Sequence, residues 1–140
     1  MRNAVGRSSP ARGAGRHVYR LQGLSDLVLG GAGLFAAGWT AALMSAGPGD
    51  WLEPGLRLVG LVLFLFALGT LALSAAPESR AARRLFPIYP ALNWGYVAFC
   101  AAVLAWWHER WSMAGWVVVT VTALGAVGFA LAQHRLNRRR

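Results

Sequence analysis

The stretch LVGLVLFLFALGTLALSAA, residues 58–76, carries no charged side chain and decides the fold of this chain. A helix needs about 20 apolar residues to cross a hydrocarbon core of roughly 30 Å, because each residue adds about 1.5 Å. Lipid offers no water to hydrogen-bond the backbone, so an uncharged run of this length crosses it as a helix. The stretch therefore predicts a transmembrane helix.

Three further uncharged runs have the same character, and they cover residues 27–46, 88–107 and 112–132. The links between the runs are short, and Pro and Gly in them favour turns. We therefore predict an all-α protein, an antiparallel bundle of four transmembrane helices with short loops. The predicted bundle occupies residues 19–134, with spans near residues 24–46, 57–76, 88–107 and 112–133.

The arginines give these spans a direction. All 14 basic residues are arginine, against five acidic residues, and the net charge is +9. Only Arg57 and Arg110 fall on one side of a four-span topology. The other side takes Arg2, Arg7, Arg12, Arg16, Arg20, Arg80, Arg83, Arg84, Arg135, Arg138, Arg139 and Arg140. Cytoplasmic loops carry the excess of basic residues, so both termini should be cytoplasmic.

Two basic tails should flank the bundle. Residues 1–18 are polar and rich in Arg and Gly, which predicts a disordered cytoplasmic tail, and residues 135–140 form a second one. Arginine at every basic position is typical of GC-rich bacterial genes, so we expect a multi-pass protein of the bacterial cell inner membrane. Topology and the lipid bilayer account for the positive charge, and we expect no nucleic-acid partner.

Three polar residues should meet at the cytoplasmic ends of the spans. Asp26 lies about two turns inside a helix that begins near Tyr19, and Asn93 and Gln133 belong to the same leaflet. A carboxylate inside a membrane helix is costly, so such a residue is usually paired and functional. The alternative is structural, because Ser25 and Asp26 are residue types that favour helix N-caps.

Glu53 and Arg57 form a second candidate group on the outer side. They are spaced by four residues at the start of the second span, where an ion pair can form if that turn is helical. Binding of an anionic substrate by Arg57 is the alternative interpretation.

Small residues recur every four positions on the first and fourth spans. The set comprises Gly33, Ala37, Ala41 and Ser45, together with Gly128 and Ala132. Small side chains let helix backbones approach closely, so these residues should serve helix packing. Packing within one bundle is the simpler interpretation, and homodimerisation is the alternative.

No residue pattern indicates catalysis, a cofactor or a metal. Cys100 is the one cysteine and lies in an apolar run, as a core residue does. His108 is predicted on the opposite side of the membrane from His17 and His134, and metal sites need converging ligands. The centres of the spans carry no ionisable group, which argues against a proton or ion pathway.

We therefore expect a structural or partner-binding membrane component that is not an enzyme. Its partner would be a second copy of the chain or another membrane protein. An oligomeric small transporter or channel subunit is one alternative, and a membrane redox accessory protein is another.

Aromatic residues are placed as in an interfacial belt. Trp51, Trp106, Trp107 and Trp111 lie at the predicted outer edge, and Tyr19, Phe86 and Tyr89 lie near the inner edge.

Three segments carry a resemblance to known proteins: residues 55–60 (GLRLVG), 92–94 (LNW) and 125–133 (GAVGFALAQ). With them the chain resembles a broad group of small, uncharacterised four-helix integral membrane proteins of bacteria. Its general layout is also similar to DoxX-type four-helix proteins. The resemblance implies an inner-membrane bundle and supplies no catalytic residues.

Reporter fusions test the orientation. Green fluorescent protein fused after Arg140 should fluoresce, and alkaline phosphatase fused there should be inactive, because the C-terminus is cytoplasmic. Alkaline phosphatase inserted within residues 47–54 should be active. An active phosphatase after Arg140 would contradict the predicted orientation.

Overall fold

A computed structural model describes the backbone of residues 10–138 and the side chains of residues 16–138. The predicted all-α class is confirmed: the regular elements of this part are helices, and an isolated bridge joins Ser45 to Trp111. The helices are α1 (Pro10–Phe35), α2 (Ala37–Met44), α3 (Glu53–Ala75), α4 (Arg80–Leu85), α5 (Tyr89–Trp106) and α6 (Met113–Asn137). One-turn 3₁₀ helices cover Gly49–Trp51 and His108–Arg110.

Two of these helices, α3 and α6, are long and apolar enough to cross a membrane. The number rises to three if Arg16–Phe35 and α2 count as one bent span. α5 has 18 residues, carries Asn93 and Tyr96 in its first half, and is not among these two helices. Length and composition thus allow two or three segments of the described part to cross a membrane.

The predicted first span, residues 24–46, is not one straight helix. α1 and α2 meet at Ala36, which leaves helical geometry (φ −121°, ψ 29°), and their axes are bent by 95°. α2 therefore turns away from the axis of α1, and its small residues Ala37 and Ala41 are buried. Backbone hydrogen bonds hold it there, from Ala46 to Arg110 and from Ser112 to Met44, each at 2.9 Å.

Helix α1 also begins earlier than predicted. It starts at Pro10, so residues 10–18 of the expected disordered tail belong to a helix, whereas residues 1–9 lie outside the described residues. Proline suits the first turn of a helix, where its missing N–H is not needed. At the other terminus α6 continues through Asn137, so the second predicted tail is helical in its first half.

The most extensive helix contact joins α1 to α3. Gly30 and Gly33 of α1 lie against Gly60 of α3. A Cβ added to Gly60 would lie 2.6 Å from the backbone nitrogen of Leu34, and one added to Gly30 would lie 2.5 Å from that of Phe64. The two backbones therefore touch, and this contact tolerates no larger residue.

Helices α5 and α6 form a second pair, and contacts between the two pairs are sparser and run through α1 and α6. The two helix pairs lie side by side, so the bundle has two ends. We call the end that exposes Arg16, Arg20, Arg80, Arg83, Arg84, Arg135 and Arg138 the basic end. The opposite end, which holds α2 and Trp51, Trp106, Trp107 and Trp111, is the tryptophan end.

The aromatic residues of the basic end do not form the expected belt. Tyr19, Phe86 and Tyr89 are buried, and they pack on one another instead of facing outward. The Tyr19 and Phe86 rings stack at 4.1 Å, and the Tyr19 hydroxyl donates to the Phe86 carbonyl. At the tryptophan end Trp106 is 82% exposed but Trp111 is buried, so only part of that group suits an interface.

Because α1 and α3 lie so close together, a methyl group added at their contact should destabilise the protein. Gly60→Ala should lower the free energy of unfolding by about 1–3 kcal/mol, because the added Cβ overlaps the α1 backbone. Gly69→Ala on the same helix is the matched control, since a Cβ there meets nothing within 4 Å. Thermal unfolding in a mild detergent, followed by circular dichroism, measures both. Equal midpoints for the two variants would contradict the backbone contact.

Candidate functional site

A cavity of about 750 Å³ lies between the two helix pairs. Its walls come from α1, α3, α5 and α6, and they are mostly apolar, with Leu63, Phe66 and Phe129 among the larger side chains. The cavity follows from the packing, since each pair is closely packed within itself and the contacts between pairs are sparse. Its volume falls in the range of about 300–1,000 Å³ that is usual for small-molecule sites. We call it the interhelical cavity.

The polar lining of the interhelical cavity is small and specific. It consists of Ser25, Asp26, Asn93, Tyr96 and Thr122. Within residues 16–138, no basic residue lines the cavity, and Asp26 is its one acidic residue. A site of this composition would bind the body of a ligand by apolar contact and orient it through a few polar groups.

Asn93 belongs to a closed ring of three buried amides. Gln22 Nε2 donates to Asn93 Oδ1 at 2.8 Å, Asn93 Nδ2 donates to Gln133 Oε1 at 2.9 Å, and Gln133 Nε2 donates back to Gln22 Oε1. Their exposed fractions are 1%, 6% and 0% for Gln22, Asn93 and Gln133. Each amide acts as donor and acceptor, so the ring satisfies groups that have no water to bond. It also ties α1, α5 and α6 together.

The structure therefore brings Asn93 and Gln133 of the predicted cluster into direct contact, and the third member of the ring is Gln22. Sequence reasoning missed Gln22, although a signal existed. Gln22 lies four residues before Asp26, and residues spaced by four share one face of a helix. A second polar residue on the face of Asp26 was the clue that this face turns inward.

Asp26 stands beside the ring, and its carboxylate interacts with the Gln22 side chain without joining the three hydrogen bonds that close the ring. Within the described residues its Oδ2 atom is buried and has no hydrogen-bond partner. The N-cap interpretation is wrong, because α1 runs from Pro10 to Phe35 and Asp26 lies deep inside it. A buried carboxylate oxygen without a partner is costly, so it requires an explanation.

The outer pair forms in the structure. Arg57 Nη2 lies 2.7 Å from Glu53 Oε1, and Arg57 Nε donates to the same oxygen at 3.1 Å. The Arg57 side chain is 60% exposed, and exposed pairs contribute only about 0–1 kcal/mol. The pair lies at the tryptophan end, away from the interhelical cavity.

The small residues chosen for packing fall into two groups. Gly33 lies against the α3 backbone, and Ala37 and Ala41 are buried in α2. On α6, Gly128 is exposed and a Cβ there would meet nothing within 4 Å, while Ala132 is partly buried. The α1–α2 set thus packs inside the chain, whereas Gly128 does not.

Other reactive side chains do not converge on a site. Cys100 is buried in the apolar core, with Ala41 and Trp111 in the same cluster. Among the described residues, no three His, Cys, Asp or Glu side chains come close enough together to hold a metal ion. The interhelical cavity is therefore the candidate site, and binding is the chemistry its residues support.

No protein-family model matches this sequence, and no curated protein or solved structure matches it either. The geometry of the interhelical cavity is therefore the basis for a proposal about function.

The amide ring predicts that replacing one of its residues destabilises the protein more than replacing all three. Asn93→Leu should lower the free energy of unfolding by about 1–3 kcal/mol, because the buried Gln22 Nε2 loses its acceptor and the buried Gln133 Oε1 loses its donor. Replacing all three residues, as Gln22→Met, Asn93→Leu and Gln133→Met together, should recover stability, since no amide is then left unsatisfied.

Thermal unfolding in mild detergent measures these variants. Thr120→Val is the control, because Thr120 is an exposed polar residue of α6 outside the ring. An Asn93→Leu midpoint equal to that of Thr120→Val would contradict a structural role for the ring.

Proposed function

We propose that this chain is a four-span protein of the bacterial inner membrane with both termini in the cytoplasm. The spans are the bent pair α1–α2, then α3, α5 and α6. The exposed arginines of the basic end support this orientation, because cytoplasmic surfaces carry the excess of basic residues. The uncharged runs and the resemblance to small bacterial four-helix membrane proteins support it as well.

Within this topology the protein binds a lipophilic small molecule in the interhelical cavity. The observation that carries the proposal is the cavity itself, about 750 Å³ in volume, with apolar walls and a few polar groups. A ligand of this kind dissolves in the bilayer. It is concentrated there before it binds, and apolar contacts with the cavity walls hold it between the helices.

The cavity lies at the side of the helix bundle, where lipid would be. Its lining includes Leu21, Val28, Val62 and Leu92, whose side chains are exposed at the surface of the bundle. A lipophilic ligand would thus enter sideways from the bilayer without crossing water.

The sequence analysis predicted a structural or partner-binding component that is not an enzyme. The proposed function is more specific, because it makes the bound partner a small molecule. The oligomeric transporter or channel subunit and the redox accessory protein remain sequence-based alternatives. No contact in the described part of the chain favours either of them over binding.

Filling the cavity should abolish binding. Gly125 lines the cavity, and a Cβ there would meet nothing within 4 Å, so Gly125→Phe places a ring in the cavity without a backbone clash. We expect saturable binding of pyrenylmethanol to the unaltered protein in phosphatidylcholine nanodiscs. The signal is energy transfer from tryptophan to pyrene, and empty discs are the blank. Gly125→Phe should weaken this binding at least tenfold.

Gly128→Phe is the matched control. Gly128 lies on the same helix with open space around it and does not line the cavity, so this variant should bind as the unaltered protein does. Binding that survives Gly125→Phe, or that never saturates, would refute the proposed function.

A further inference from the structure

The Asp26 carboxylate is a group that the fold does not explain. The amide ring closes without it, and its Oδ2 atom is buried and has no hydrogen-bond partner among the described residues. A helix cap would explain an aspartate, but Asp26 lies inside α1. Helix termination therefore does not account for this residue, and its interaction with the Gln22 side chain leaves Oδ2 without a partner.

The charges around the interhelical cavity are unbalanced. Among the residues whose side chains the structure describes, Asp26 is the one acidic residue of the lining, and no arginine or histidine lines the cavity with it. The nearest arginine on the same helix, Arg20, has an exposed side chain. An ionised carboxylate in apolar surroundings is stable only when a cation or several donors pair with it. Such a carboxylate either takes up a proton or pairs with a cation. Since the described lining supplies no cation, the partner of the ionised form would be a ligand.

We infer that the interhelical cavity takes a lipophilic amine and that the Asp26 carboxylate pairs with its ammonium group. This inference rests on the proposed function and adds the class of ligand. The apolar walls of α3 and α6 would hold the hydrocarbon body, and the ammonium group would donate hydrogen bonds to Asp26. The terminal torsion of an aspartate is broad, so the carboxylate can turn toward a donor in the cavity.

The position of the carboxylate fits such a ligand. Asp26 lies one helical turn from Gln22, on the side of the cavity nearer the basic end, and Asn93 lines the same region. Amphiphilic amines lie in a bilayer with their charged group near the headgroups and their body toward the centre. A ligand in the cavity would keep that orientation, and its ammonium group would contact the Asp26 carboxylate in place of water.

A pair of probes with the same body tests the inference. Pyrenylmethylamine carries a cation, whereas pyrenylmethanol carries a neutral donor of similar size. In phosphatidylcholine nanodiscs the unaltered protein should bind the amine at least tenfold more tightly than the alcohol. Asp26→Asn should reduce this ratio to about one by weakening the amine alone. Asp26→Glu keeps the charge and should keep a preference for the amine.

Asp50→Asn is the control, since it makes the same chemical change at an exposed aspartate outside the cavity, and it should keep the full ratio. Equal binding of amine and alcohol to the unaltered protein, or an undiminished ratio in Asp26→Asn, would overturn the inference. In both cases the proposed function would survive, provided that Gly125→Phe still blocks the alcohol. If neither probe binds, the proposed function fails and the inference fails with it.

Discussion

The need to satisfy buried polar groups without water governs the interior of this protein. The ring of Gln22, Asn93 and Gln133 meets this need, since each amide donates a hydrogen bond to one neighbour and accepts one from the next. The ring takes its members from α1, α5 and α6, and α1 is in turn held to α3 by backbone contact at Gly30, Gly33 and Gly60. All four long helices thereby share one arrangement, which depends on both contacts.

The same two contacts account for the interhelical cavity. Glycines bring α1 and α3 close together, and the ring fixes α1 relative to α5 and α6 near the basic end. Between these points the larger side chains of α3 and α6, such as Phe66 and Phe129, line a space that they do not fill. Apolar cavities in membrane helices lose dispersion contacts, so a ligand that restored those contacts would stabilise the bundle.

Much of the fold was predictable because long apolar helices are determined by local sequence. The runs at residues 57–76, 88–107 and 112–133 correspond to α3, α5 and α6, with ends that differ by a few residues. The bend at Ala36 was not predictable, since no proline marks it. It depends on contacts of α2 with residues far along the chain, such as the hydrogen bond from Ser112 to Met44.

The order of residues alone predicted long apolar helices that could cross a membrane, an arginine-rich end, and polar residues at Asp26, Asn93 and Gln133. Those features follow from the composition of each segment and from the spacing of its residues along a helix, which are local properties. Tertiary structure decided that Gln22 completes the ring, that Asp26 lies beside it with Oδ2 unpartnered, and that Tyr19, Phe86 and Tyr89 turn inward. It also created the cavity. These outcomes depend on how helices distant in sequence pack, and a single helix carries no information about the partner it will meet.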